Sequence, residues 1–79
     1  MIKEQIYEIL SLMLEDIEID DGTMLLDEGL LDSIGILYLV SELEEKNGIK
    51  IPLDGITEDH FKNIESIKSY IEELLGKTK

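Results

Sequence analysis

The chain has 79 residues, 43% of them hydrophobic, no cysteine, and nineteen acidic against seven basic side chains, for a formal charge of −12. That length predicts one domain over residues 1–79, burying only about 60–65% of the unfolded chain's surface, with no room for a deep active site built from several layers. The charge repels phosphate backbones and argues against nucleic acid; the missing cysteines remove a disulfide framework and any Cys-based zinc site; and no apolar run approaches the roughly 18 residues of a membrane span.

The first predicted helix runs from about Ile2 to Glu15. Ile2, Ile6, Ile9, Leu10 and Met13 share one face, while Lys3, Glu4, Glu8 and Ser11 lie elsewhere. Met1-Ile2-Lys3-Glu4 carries charge inside this pattern and lacks a signal peptide's uninterrupted apolar stretch, so a cytoplasmic protein is expected. A long connection follows, Asp16 to Asp32. Its alternation Ile17-Glu18-Ile19-Asp20 suggests a strand, but no second strand exists to pair with it. An ordered loop pinned by Ile17, Ile19, Leu25 and Leu26 is expected instead, and long connections in compact domains are usually functional.

The second helix starts near Asp32-Ser33, either of which can cap it, and stops at Asn47-Gly48. Pro52 lies in the next loop. Thr57-Glu58-Asp59-His60-Phe61 reads as a short helical turn capped by Thr57. Asn63 caps a last helix with a stripe of Ile64, Ile67, Ile71 and Leu74; Gly76 is expected to end it, leaving a basic tail, Lys77-Thr78-Lys79. The fold class is therefore all-α: a small bundle of three main helices and one short helix, with a long first loop.

At about 100° per residue, Ile36, Leu39, Val40 and Leu43 form the core stripe of the second helix, with Asn47 below them. Ile34, Leu37, Tyr38, Ser41 and Glu45 form an opposite stripe. The upper half of that second stripe is apolar where a peripheral helix should be polar. Scattered surface apolar residues are common, but three contiguous ones beside Ser33 point to a docking surface. Partner recognition on this face is expected of Ile34, Leu37 and Tyr38, with Glu44 and Glu45 adding acidic character further down the helix.

Ser33 offers a primary hydroxyl at a loop–helix junction, where free N–H groups and the helix dipole favour a bound phosphate. No base is placed by the sequence to activate it as a nucleophile. Leu30-Leu31-Asp32-Ser33-Ile34-Gly35, followed after the helix by Asn47-Gly48-Ile49-Lys50-Ile51-Pro52, resembles the attachment site of the acyl and peptidyl carrier proteins. The resemblance covers about the middle third of the chain. It implies an acyl-carrier-like bundle with 4′-phosphopantetheine, derived from coenzyme A, esterified to Ser33. It also implies a non-catalytic protein, modified by a phosphopantetheinyl transferase that reads Asp32. An acyl- or aminoacyl-loading ligase or transferase and downstream enzymes would be its other partners, with the carrier a monomer that does not insert in membranes. The chain's lack of a thiol means that all thioester chemistry would come from the added group.

Carriers of central fatty-acid synthesis place acids soon after the serine, where this chain has Gly35 and Tyr38. The Asp-Ser-Ile-Gly core, and Phe61 before the last helix, look more like the D-alanyl carriers and discrete peptidyl carriers. Asn47 stands where the family usually has Phe, and Ile49 is expected to fill the space. The alternatives are a housekeeping fatty-acid carrier and an unmodified acidic interaction module. Asp16-x-Glu18-x-Asp20 with Asp27 partly resembles a calcium loop, but Gly22 falls one place late and the twelfth residue is not Glu, so no metal ligand is assigned. His60, the only histidine, is read as a partly exposed helix residue.

Overall fold

The computed structural model describes residues 2–15 and 17–77, the last by its backbone alone. Among the described residues there are four α-helices: α1 (Ile2–Met13), α2 (Ser33–Asn47), α3 (Glu58–Phe61) and α4 (Ile64–Lys77). A 3₁₀ turn at Leu53–Gly55, which periodicity does not signal, follows Pro52. Among the described residues there is no strand, and no helix is long and apolar enough to cross a membrane. Asp16 of the calcium-like pattern and Thr78-Lys79 of the basic tail lie outside the described residues.

α1 buries Ile6, Ile9 and Leu10. It stops at Met13, short of the expected Glu15, because the chain turns where Ile17 N–H bonds the Leu14 carbonyl at 3.2 Å. α2 buries Leu39, Val40 and Leu43 and ends at Gly48, whose φ of 62° lets its N–H reach the Glu44 carbonyl. That left-handed closing residue is the reason for glycine at this point. Thr57 Oγ1 accepts from His60 N–H at 3.3 Å at the start of α3. Asn63 Oδ1 accepts from Ser66 N–H at 2.8 Å at the start of α4, so both expected caps form. α4 does not end at Gly76 but runs on through it to Lys77. A single glycine weakens a helix by about 1 kcal/mol without obliging it to stop, and Gly76 is not among the left-handed glycines.

α1 packs on α4 and α2, and α3 packs on α4. Their inward faces join Leu25, Leu31 and Ile51 from the loops in one core, with Phe61 fully buried at its centre. Tyr70 completes it, edge-on to Phe61 at 6.1 Å and stacked on His60 at 3.9 Å. Ile49 packs against this core from the loop after α2.

The first loop is ordered, but its anchors differ from those expected. Leu25 is fully buried, its N–H bonds the Lys62 carbonyl at 2.8 Å, and its own carbonyl accepts from Leu30 and Leu31 at 2.9 and 3.0 Å. Ile19 and Leu26 are half-buried, whereas Ile17 is 45% exposed and pins nothing. A polar clamp holds the loop in addition to Leu25. Lys3 Nζ and Tyr7 Oη, both on α1, donate to the two oxygens of Asp21 at 2.7 and 2.6 Å, and Lys3 also reaches Glu65 on α4 at 3.2 Å. Lys3, then Tyr7, hold the Asp21 carboxyl below the usual range. The bond to Asp21, reinforced by partial burial, pushes the Tyr7 phenol up to about 12.

Candidate functional site at the start of helix α2

Ser33 is the first residue of α2 and is exposed. Asp32 precedes it in extended backbone, φ −115°, and its Oδ1 accepts from Gly35 N–H at 2.8 Å. Sequence left the cap open between Asp32 and Ser33; the structure assigns it to Asp32. This also resolves an electrostatic difficulty. A carboxylate beside a serine expected to bear a phosphate would be repulsive in isolation, but this one is turned onto the positive end of α2. The Asp32 carbonyl takes Ile36 N–H at 2.9 Å, leaving the N–H groups of Ser33 and Ile34 with no partner inside the helix. The Ser33 hydroxyl thus stands free at a helix end that favours an anion.

Gly35 allows this corner to be tight. A Cβ built there would stand 3.1 Å from Leu31 Cδ2 and 3.3 Å from both Asp32 Oδ1 and Met13 Cε. A Cβ there would oblige the neighbouring side-chain ends to give by a few tenths of an ångström.

The two stripes of α2 separate as expected. Leu39 and Leu43 are fully buried and Val40 nearly so, although Ile36 is only half-buried. On the opposite side Ile34 is 77% exposed, Leu37 53% and Tyr38 46%, and Ser41 and Glu45 are exposed below them. Glu44 differs from the rest of the assigned face. It is half-buried, and its Oε2 accepts from Ile51 N–H at 2.7 Å, fastening the loop after α2 back onto the helix. Asn47 donates to Gln5 Oε1 at 2.9 Å and to the Leu43 carbonyl at 3.0 Å. It ties the end of α2 to the start of α1 by hydrogen bonds rather than by packing.

A feature invisible to the helical wheel of α2 adjoins this face. Leu12 of α1 is 70% exposed. Together with Met13, Leu30, Ile34, Gly35 and Tyr38 it lines an open groove of about 570 Å³ between the end of α1 and the start of α2. Asp32 and Ile34, the neighbours of Ser33, both line it. Only the juxtaposition of the two helix ends makes this groove, so no local pattern signals it.

The other candidates fall elsewhere. The ring nitrogen Nδ1 of His60 lies 2.6 Å from the Gly55 carbonyl, and the ring stacks on Tyr70, so its polar and apolar faces join the 3₁₀ turn, α3 and α4. Asp20 Oδ1 accepts from Gly22 N–H and Thr23 Oγ1 at 3.0 and 3.1 Å, closing its own turn. Ser11 Oγ donates back to the Tyr7 carbonyl at 2.7 Å within α1.

Comparison with known proteins places the chain as a whole. The family profile described as "Phosphopantetheine attachment site" matches residues 2–71. The D-alanyl carrier protein of Listeria welshimeri is 36% identical over 74 residues, covering 91% of this chain and 95% of the relative. That of Leuconostoc mesenteroides is 33% identical over 76 residues, covering 95% and 97%. That of Streptococcus pyogenes is 34% identical over 74 residues, covering 92% and 94%. The chain therefore belongs to the phosphopantetheine attachment site family, whose members are non-catalytic carriers bearing that group covalently.

Proposed function

We propose that Ser33 is the attachment point, and that the protein carries a small aminoacyl group, D-alanine first among candidates, as a thioester on the attached arm. The observation carrying this reading is the exposed Ser33 hydroxyl at the capped N-terminus of α2, inside a family match spanning residues 2–71. D-alanine is favoured because the relatives of similar length are D-alanyl carrier proteins.

The residues present fit the group. Ser33 supplies the oxygen for a phosphodiester, and the unpaired N–H groups of Ser33 and Ile34 offer donors to its charge. Gly35 keeps the corner compact without engaging the hydroxyl. The arm, when bound, supplies the thiol this chain lacks. A phosphopantetheinyl transferase installs it, reading the acidic corner at Asp32. An adenylating ligase and a downstream acyltransferase then share the face formed by Ile34, Leu37, Tyr38 and Glu45. The acidic charge draws partners with basic rims and raises encounter rates more than final affinity. The helices act together as one cytoplasmic, monomeric carrier domain.

Co-expression with a promiscuous transferase tests the site. Intact mass should rise by one phosphopantetheine in wild type and not in Ser33→Ala; a persistent gain in Ser33→Ala rejects the assignment. Incubating the modified protein with ATP, a D-alanine-activating ligase and either D-alanine or a fatty acid tests the cargo. Acylation by D-alanine supports the reading, and no D-alanine transfer rejects that cargo.

A further inference from the structure

We infer that Asn47-Gly48 is a latent modification site, at which the chain deamidates itself only when the end of α2 opens. It is the one Asn-Gly pair in the sequence. The chemistry needs nothing but the chain and water. The Gly48 backbone nitrogen attacks Asn47 Cγ, the Cγ–Nδ2 bond breaks, and Nδ2 leaves as ammonia with the proton of the Gly48 nitrogen. Water then opens the succinimide ring. Attack at the former side-chain carbonyl gives aspartate. Attack at the backbone carbonyl gives isoaspartate, whose main chain runs through the side chain of residue 47. Glycine favours closure because it has no side chain to shield its nitrogen.

The folded chain holds the reacting atoms apart in three ways. Asn47 Nδ2 donates to Gln5 Oε1 at 2.9 Å and to the Leu43 carbonyl at 3.0 Å, which draws the carboxamide back along α2 and away from Gly48. The Gly48 N–H, whose proton must leave, is bound to the Glu44 carbonyl. Asn47 is the last residue of α2, and a five-membered ring through its Cα, its carbonyl carbon and the Gly48 nitrogen does not close in helical backbone. All three restraints sit at a helix end, with Asn47 half-buried and Gly48 exposed. Such ends open at far lower cost than a core. Gln5 belongs to α1, 42 positions away, so the contact between the two helices controls the reaction.

The product loses what held the reactant. A carboxylate oxygen replaces the donor that served two acceptors, Gln5 Oε1 and the Leu43 carbonyl. The new charge lies at the negative end of the α2 dipole and adds to a chain already at −12. The isoaspartyl form also lengthens the main chain just before the Gly48 cap and the Ile51 N–H that Glu44 holds. Each opening that reacts leaves a chain that opens more readily, while Ser33 stands unaltered at the other end of the helix. The site is an irreversible record of time spent partly unfolded.

The test holds the purified chain in warm, mildly alkaline buffer with and without urea. Peptide mass spectrometry follows the mass gain of replacing NH by O, with Asn63, which precedes Ile64, as the internal control. Deamidation is expected at Asn47 and not at Asn63, at least about tenfold slower in the folded chain than in urea. Gln5→Ala removes the side-chain acceptor and should speed the folded reaction several-fold without changing the rate in urea. In wild type, urea below the unfolding midpoint should speed the reaction before the helical signal falls, which decides the matter if Gln5→Ala does not fold. Asn47→Asp, one of the two products, should melt below wild type. Equal rates with and without urea, an unchanged rate in folded Gln5→Ala, a wild-type rate that rises only with global unfolding, or an unaltered melting temperature in Asn47→Asp overturns the proposal.

Discussion

Leu37 and Leu39 belong to the same turn region of α2, yet Leu37 is 53% exposed and Leu39 is fully buried. Cutting Leu39 back to Ala removes its contacts with the core and leaves a cavity, at a cost of roughly 2–5 kcal/mol. At about 0.05–0.15 kcal/mol per residue, a chain this short holds only some ~4–12 kcal/mol in total, so that single change takes a large share. Replacing Leu37 by Ser forfeits at most about half of the ~1.5–3 kcal/mol that full leucine burial gives, a loss below about 1.5 kcal/mol. Urea unfolding followed by helical circular dichroism measures both variants, with an unchanged slope required for a fair comparison. The melting temperature should fall by about 4–8 °C per kcal/mol for a domain of this size. Leu37→Ser should nevertheless slow phosphopantetheinylation or loading if, as proposed, a partner buries that side chain. Equal or greater destabilisation by Leu37→Ser would refute the facing of α2 and return the supposed docking surface to the core.

Asp32 combines a cap with a charge, and two substitutions separate them. Asp32→Asn keeps a capping oxygen and should melt close to wild type while slowing modification; Asp32→Ala should in addition lose about 0.5–2 kcal/mol, typically near 1. Normal modification of Asp32→Asn would remove the transferase-recognition role. The Asp21 clamp predicts pH dependence at both ends. The folded Asp21 carboxyl is depressed, so its contribution is present above the unfolded value near ~3.9 and is lost as pH falls through the folded value; Asp21→Asn should flatten that acid limb. The Tyr7 phenol is raised to about 12, so its contribution is whole below the unfolded value and disappears as pH rises through about 12. Tyr7→Phe should weaken this alkaline loss in a melting-temperature profile. Finally, at a formal charge of −12, added salt or millimolar divalent cations should raise the melting temperature by screening self-repulsion. A fall would show that the ion pairs of Lys3, Lys46 and Lys68 outweigh that repulsion.

The features legible along the chain were local ones. The limits of α2, its buried and exposed stripes, the Thr57 and Asn63 caps and the placing of Ser33 depend on neighbours within about one helical turn, and helical geometry makes such spacing legible. The choice of Asp32 over Ser33 as cap required backbone angles that composition leaves open. The remaining details depended on where distant segments meet. Asp21 meets Lys3 across 18 positions, and Asn47 meets Gln5 across 42. Glu44 looks like another surface acid until the chain returns at Ile51. Leu12 looks like an ordinary exposed leucine until the end of α1 is laid against Gly35 and the groove appears. Periodicity tells which face of an element is apolar, but only the packed structure decides what that face meets, because such contacts are set by the path of the chain in space and not by spacing along it.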